Sequence, residues 1–328
     1  MKFVKFRTLE DEVTRSRLGL QKEASVVDLV AALRAYRFKI MKITADVDNY
    51  RNAEMACSST INFLISRLDE VQGLIETSTG SAIFSTRTAR ELGIGDVVYP
   101  IHDIVLKAPV EPRKIICLAL TYKGHAEEMD LSTVKFPEVF FKPPTAVIGP
   151  EEPIILPNSA PTKVDFEAEL GIVIGKRARF VKEEESMDYI VGYTALNDVT
   201  ARDVEFEWGL KQWALSKSFD TFAPIGPCIT TKEEIEDPHN LDIKLRLNGE
   251  IMQESNTSDL ILSIPKIVSM ISQFMTLETG DVISTGTPPG VGYKKDPPVF
   301  LRPGDVCEVE IEGLDILRNP VEGVLEGE

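Results

Sequence analysis

Histidine is scarce in this chain, with three in 328 residues. Cysteine is scarce as well: Cys57, Cys117, Cys228 and Cys307 stand far apart, with no C-x-x-C spacing. These two shortages leave a tetrahedral Cys/His zinc centre poorly supplied. The thiols read as reduced and mostly buried, the usage of a cytoplasmic protein rather than a disulfide framework. Positive charge is also in deficit, 36 Lys and Arg against 52 Asp and Glu, for a formal net charge of −16. A broad basic surface for nucleic acid is thereby excluded, and so is attraction to an anionic membrane. No apolar run approaches the length of a membrane span, and the opening MKFVKFRTLEDEVTR is charged throughout, without an apolar targeting core. An anionic substrate remains compatible with this composition, provided that a metal, a lysine or a helix N-terminus makes its site locally positive.

The chain does have apolar content, at 43% enough for one large or two ordinary domains. Residues 1–108 read as a smaller N-terminal α+β domain, opening on a strand-like MKFVKFR. ASVVDLVAALRAYRF then runs in a helical rhythm, and SSTINFLISRLDEVQGLIETSTG is an amphipathic helix with a Ser/Thr start and a Gly stop. Residues 109–328 change texture to short β-branched runs punctuated by Pro and Gly: KIICLAL, EVFFKPP, PIILP, ELGIVIG, YIVGYTALND, DIKLRLNGE, DVISTGTP and DVCEVEIEG. That is a mainly β domain. ARDVEFEWGLKQWALS and ILSIPKIVSMISQFM are expected to interrupt it as helices, and the Asn-Gly of LRLNGEIMQ predicts a hairpin.

Four constellations carry chemistry. Glu167 and Glu169, two apart in VDFEAELGIVIG, project from one face of a strand beside a very apolar run. Such a pair keeps one proton or shares a cation, and Asp198 of YTALNDVTARD is the third carboxylate that would favour the cation. Oxygen donors of this kind suit Mg2+ or Mn2+; capping of the helix that follows Asp198 is the alternative for that residue. In TYKGHAEEMD, His125 and Glu128 meet on one helical face, either as a carboxylate-oriented base or as an exposed ion pair. Lys217 follows a segment carrying Trp208 and Trp213 and is either a desolvated anion binder or a surface lysine at a helix end. The turn STGTPPGVG offers backbone N–H groups and the hydroxyls of Thr285 and Thr287 to a carboxylate, or is simply a turn.

The order and spacing of TYKGHAEEM, FFKPPTAVIGP, VDFEAELGIVIGK, GYTALNDVTARD, WALSKSFDTFAPIGP, NGEIMQESNTSDLI and ISTGTPPGVG closely resemble the fumarylacetoacetate hydrolase family over residues 113–320. The resemblance implies a mixed β-roll catalytic domain, a homodimer, and Mg2+ or Mn2+ held by Glu167, Glu169 and Asp198. It implies that His125 and Glu128 activate water on a segment that orders over a small 2-oxo acid substrate. Lys217 would match the family's active-site lysine and Thr287 the threonine that touches the substrate carboxylate. Tyr122, Arg202 and Glu205 fall in the same motifs and are expected at the substrate. Two positions depart: Leu120 and Thr121 stand where many members have Arg-Asn, and Glu205 where some have Gln. Both favour a hydroxylated substrate end over a second carboxylate.

The expected reaction is hydrolysis of a C–C bond in an acylpyruvate-type 2-oxo acid. The cation would polarise the 2-oxo carbonyl, His125 would take a proton from water, and Lys217 and Thr287 would hold developing charge and carboxylate. Dehydration of a 2-keto-3-deoxy sugar acid, decarboxylation of an oxaloacetate-like acid and isomerisation draw on the same groups. A non-catalytic oligomer stabilised by its cation is the reading from another class.

Overall fold

The computed structural model describes residues 1–9, 16–22, 24–29, 32, 98–129, 136–209 and 212–323. Its strands are β1 (Lys2–Thr8), β2 (Arg17–Lys22), β3 (Ser25–Asp28), β4 (Val98–Pro100), β5 (Ile104–Lys107), β6 (Ile115–Ala119), β7 (Glu138–Lys142), β8 (Val147–Ile148), β9 (Ile154–Ile155) and β10 (Val164–Asp165). They continue with β11 (Ala168–Ile174), β12 (Ile190–Asn197), β13 (Thr200–Ala201), β14 (Ala223–Thr231), β15 (Asp242–Leu247), β16 (Glu250–Asn256), β17 (Val282–Ser284), β18 (Val306–Ile311) and β19 (Leu317–Glu322). The α-helices whose bounds lie among the described residues are α1 (Lys123–Glu128), α2 (Arg202–Phe206), α3 (Trp213–Ser216) and α4 (Ile264–Phe274). The architecture is mainly β.

A twelve-stranded sheet runs in the order β4-β3-β2-β1-β14-β12-β11-β17-β6-β7, with β5 on β1 and β8 on β14. A five-stranded sheet runs β16-β15-β18-β19-β9. The first sheet crosses residue 108, because β1 pairs antiparallel with β14, Lys2 opposite Thr230 and Phe3 opposite Ile229.

Every residue of β11 and β12 is buried. That explains their near-continuous apolar character, since a strand covered on both faces has no solvent side to alternate toward. In β11, Ala168, Leu170, Ile172 and Ile174 enter the larger core, which also takes Ile267, Val268 and Ile271 of α4 and Leu245 and Val309 of the smaller sheet. Val173 points the other way, into a second core with Cys117, Phe140 and Leu196. Glu169 shares its parity, so the carboxylates lie on the face opposite the large core.

Two local expectations change, and a third is not tested. Ser25–Asp28 of the segment read as helical is strand β3, paired with β2 in the register Leu20–Val27 and Gln21–Val26; both valines are buried there. The helix expected over residues 58–80 lies outside the described residues. ARDVEFEWGLKQWALS forms two short helices, α2 and α3, because Gly209 at φ +128° cannot continue a right-handed helix. The hairpin is as expected: Asn248 (φ 56°) and Gly249 (φ 83°) turn β15 into β16 with both central residues left-handed. Helix α4 also forms, starting at Ser263, whose hydroxyl accepts from Lys266 N.

Candidate active site

The antiparallel register builds the acidic cluster. Ala168 faces Asn197 across β11 and β12, and Asp198 N donates to Glu167 O at 2.8 Å. Asp198 is thus fixed opposite Glu167, one residue beyond the end of β12. One oxygen from each of Glu167, Glu169 and Asp198 lies within 4.8 Å of the others, and all three residues are buried. Asp198 does not cap a helix; the residue before α2 is Ala201.

Cationic side chains surround the trio. Lys217 Nζ donates to Glu167 Oε2 and Asp198 Oδ2, both at 2.8 Å, and to Thr200 Oγ1 at 2.7 Å. Lys142 Nζ donates to Asp198 Oδ1 at 2.5 Å and to Val199 O at 3.0 Å. Arg202 uses all three of its nitrogens on acids: Nε on Asp165 Oδ2 at 2.8 Å, Nη1 on Glu205 Oε2 at 2.9 Å and Nη2 on Glu167 Oε1 at 2.6 Å. Glu169 has different partners, the Ser284 hydroxyl and Gly286 N at 3.0 Å, and no ion pair among the described residues.

Five carboxylates (Asp165, Glu167, Glu169, Asp198, Glu205) therefore face three cations (Lys142, Arg202, Lys217), a surplus of two negative charges. The electrostatics localise this surplus. Burial opposes ionisation of Glu167, but Lys217 and Arg202 outweigh it and bring its carboxyl down to about 2. For Glu169, burial followed by the charges of Asp198 and Glu167 pushes the carboxyl well above the usual range. Lys217 moves up, since Asp198 and Glu167 overcome the burial that works against its ammonium. A buried oxygen trio with two unmatched charges, one carboxyl of which resists ionisation alone, fits a hard divalent cation.

Helix α1 stands at the edge of this cluster. His125 Nδ1 meets Glu128 Oε2 at 3.0 Å, which leaves Nε2 as the nitrogen available to a ligand. Glu128 Oε1 accepts from Gly290 N at 3.0 Å, and Gly124 N donates to Asp259 Oδ2 at 2.9 Å, so the helix is docked on two loops. Burial would raise the Glu128 carboxyl, yet the bonds from His125 and Gly290 hold it below its ordinary value. Leu120 enters α1 with φ +58°, a conformation that leucine seldom adopts.

A cavity with about 30 Å³ of room for water-sized occupants joins these groups; its walls include His125, Glu167, Glu169, Asp198, Lys217 and Thr287 on the polar side. Leu118, Leu120, Met129, Phe140 and Trp213 supply the apolar side. Arg202 and Glu205 also line it, with Glu205 paired to Arg202. Tyr122 is not among the lining residues. It is wholly buried, and its phenol is pushed up by burial and then by Glu169. Thr287 lines the cavity, but its hydroxyl donates to Ala168 O at 3.1 Å.

Sequence reasoning missed Lys142, Ser284, Asp165 and Gln253. Lys142 had a signal, a lysine closing the apolar run VFF before two prolines. Ser284 had none, since a serine at a strand end is unremarked by any pattern.

The profile described as Fumarylacetoacetate (FAA) hydrolase C-terminal matches residues 114–322. The chain belongs to the fumarylacetoacetate hydrolase family. It is 46% identical over 220 residues to the Xenopus laevis protein named "Oxaloacetate tautomerase fahd2, mitochondrial", covering 67% of this chain and 69% of that one. Among solved structures, a 2-hydroxyhepta-2,4-diene-1,7-dioate isomerase from Mycobacterium marinum is 40% identical, covering 70% of this chain and 82% of that chain, with a TM-score of 0.60. A maleylpyruvate hydrolase from Sphingobium sp. SYK-6, in complex with manganese(II) and pyruvate, is 29% identical, covering 99% of this chain and 100% of that one, with a TM-score of 0.71. These fumarylacetoacetate hydrolase relatives are enzymes, and so is this chain, which removes the non-catalytic reading. No described helix is long and apolar enough to cross a membrane.

Proposed function

We propose that the protein is a 2-oxo acid tautomerase, moving a proton between carbon and oxygen beside the 2-oxo carbonyl of an oxaloacetate-type acid. One arrangement carries the reading: a histidine oriented by a carboxylate stands at a cavity walled by the buried acidic trio and by Lys217, whose ammonium bonds Glu167 and Asp198. Glu167, Glu169 and Asp198 would hold Mg2+ or Mn2+, which when bound supplies positive charge to the carboxylate and 2-oxo oxygen of the substrate.

The rest is work for the chain's own side chains. Glu128 fixes the His125 tautomer through Nδ1 and orients Nε2. His125 Nε2 takes the proton from C3 of the substrate. The C–H electrons form the C2–C3 double bond, the carbonyl pair moves onto oxygen, and the proton returns to that oxygen. Lys217, held by Glu167 and Asp198 at the cavity wall, offsets the developing charge. Arg202 acts as a spoke among Asp165, Glu167 and Glu205 and keeps Glu167 in place. Leu120, Met129, Phe140 and Trp213 wall off water on the other side.

Sequence reasoning puts hydrolysis first and isomerisation behind it. The 46% identity to a protein named for oxaloacetate tautomerisation supports the reverse order. C–C hydrolysis of an acylpyruvate is the second reading, supported by similarity along nearly the whole chain to a maleylpyruvate hydrolase; there His125 would take its proton from water. Purified protein with Mg2+ or Mn2+ should accelerate keto–enol equilibration of oxaloacetate, followed by the absorbance of the enol, and release no pyruvate from an acylpyruvate. Pyruvate release without faster equilibration would select hydrolysis.

A further inference from the structure

Gln253 is buried on β16, one strand of the smaller sheet, in the NGEIMQ segment just after the hairpin turn and far in sequence from the acidic strand. The hairpin brings it to the site by an irregularity. Leu245 pairs with Gln253 but Arg246 with Ile251, which leaves Met252 as an extra residue in a β-bulge. A bulge re-aims the neighbouring side chain. The Gln253 carbonyl oxygen accepts from Ala168 N at 2.9 Å, between Glu167 and Glu169. Its amide nitrogen donates to Thr287 Oγ1 and Pro288 O, both at 2.8 Å. One amide thus uses both its donors and its acceptor, and the reversed amide would set donor against donor at Ala168 N and acceptor against acceptor at Pro288 O.

The same turn is pressed on the bulge at its far end. A Cβ on Gly290 would come within 2.5 Å of Met252 O, and Gly290 holds φ +101°. Gly290 N is the donor to Glu128. The turn therefore carries Thr287 at one end and the anchor of the His125–Glu128 pair at the other, and Gln253 is the side chain that ties it to the strand of Glu167 and Glu169.

We propose that Gln253 is a positioning residue of the active site, setting the turn 287–290, and with it Thr287 and the His125–Glu128 pair, against the acidic strand. The proposal rests on the functional reading above, in which Thr287 and His125 face the substrate. It makes Gln253 the residue that governs ligand geometry without governing cation affinity, because Glu167 and Glu169 keep their own partners: Arg202, Lys217, Ser284 and Gly286.

The test compares wild type with Gln253→Met, which removes all three bonds, and Gln253→Glu, which keeps an acceptor for Ala168 N and loses both donations. Mn2+ affinity, affinity for oxalate at saturating Mn2+, melting temperature and the pH profile of kcat are measured on the full chain. The methionine variant, which leaves the charge of the site unchanged, should bind Mn2+ within about threefold of wild type; both variants should lose oxalate affinity on the order of tenfold or more and show an altered pH profile. Should the methionine variant fail to fold, neutral Gln253→Leu carries the same readouts, and the isosteric glutamate carries the pH profile. Unchanged oxalate affinity and pH profile with only a lowered melting temperature would make Gln253 a structural residue and overturn the proposal. Wild type that binds neither Mn2+ nor oxalate would instead overturn the functional reading, and the proposal with it.

Discussion

Lys142, its side chain wholly out of solvent, places its ammonium on Oδ1 of Asp198, itself wholly buried. A buried charge pair is worth little net against an apolar pair, but removing one partner strands the other. Lys142→Met should therefore cost roughly 3–5 kcal/mol of stability. It also raises the negative surplus of the cluster from two to three, so Mn2+ should lift the melting temperature of the variant more than that of wild type. Thermal melts with and without Mn2+ check both statements, and an equal lift in the two proteins would contradict the charge count.

Much of this site is legible along the chain, and the illegible part has a common cause. Glu167 and Glu169 announce themselves by strand spacing, and His125 with Glu128 by helical spacing, because both periodicities are local. Asp165 and Gln253 reach the cluster through a two-strand bridge and a bulge, neither of which leaves a local pattern, and the local signal at Lys142 does not name the sheet pairing that brings it there. The same limit explains β3: SVVD fits either a strand or a helix by itself, and its partner β2 decides. The hairpin at Asn248 was legible because turn chemistry is set by two adjacent residues.

Glu169 is the carboxylate whose ionisation the cation should control. In metal-free protein its folded value lies above the ordinary 4.5, through burial and then Asp198 and Glu167. A carboxyl raised by folding costs stability once pH exceeds the unfolded value, until the folded value is passed. Metal-free protein should thus lose melting temperature as pH rises from about 4.5, and Glu169→Gln should remove that loss. The variant should also weaken Mn2+ binding by on the order of 100-fold or more, beyond the usual cost of an outer partner. Calorimetric titration of chelator-treated protein measures this directly, and near-wild-type affinity would remove Glu169 from the ligand set.

Arg202 separates a spoke from a substrate contact. Its three nitrogens all serve carboxylates, so Arg202→Met leaves three buried acids short of a partner and should cost roughly 3–5 kcal/mol. Arg202→Lys should recover little of it, since one ammonium cannot span Asp165, Glu167 and Glu205. A residue that only touched substrate would raise KM and leave the melting temperature in place.

Glu128 gives an acid-side signature. Its carboxyl is held below 4.5 by His125 and Gly290 in spite of burial. The stabilisation from a depressed carboxyl is fully present above the unfolded value and is lost as pH falls through the folded one. Wild type should lose melting temperature below about pH 4.5 more steeply than Glu128→Gln, which has no proton to take up. Parallel curves for the two proteins would show that the latch to Gly290 carries no ionic contribution.

His125 is where proton transfer is assigned, and it touches none of the trio through any ion pair; its partner is Glu128. Its replacement should separate chemistry from cation binding. His125→Gln keeps polarity and approximate size but cannot accept and return a proton at neutral pH. The expected loss in kcat for oxaloacetate tautomerisation is about 10²–10⁴-fold, the usual contribution of a positioned general base. Mn2+ affinity should stay within about threefold, because the ligand oxygens and their cationic partners are untouched. KM should change less than kcat, since the apolar wall, Lys217 and Thr287 remain. Glu128→Gln should give a smaller loss in kcat than His125→Gln, because the imidazole survives and only its orientation and basicity suffer. A histidine variant that equilibrates keto and enol forms at the wild-type rate while still binding Mn2+ would move the base elsewhere, and Glu205, the remaining carboxylate at the cavity outside the trio, would be the residue to replace next.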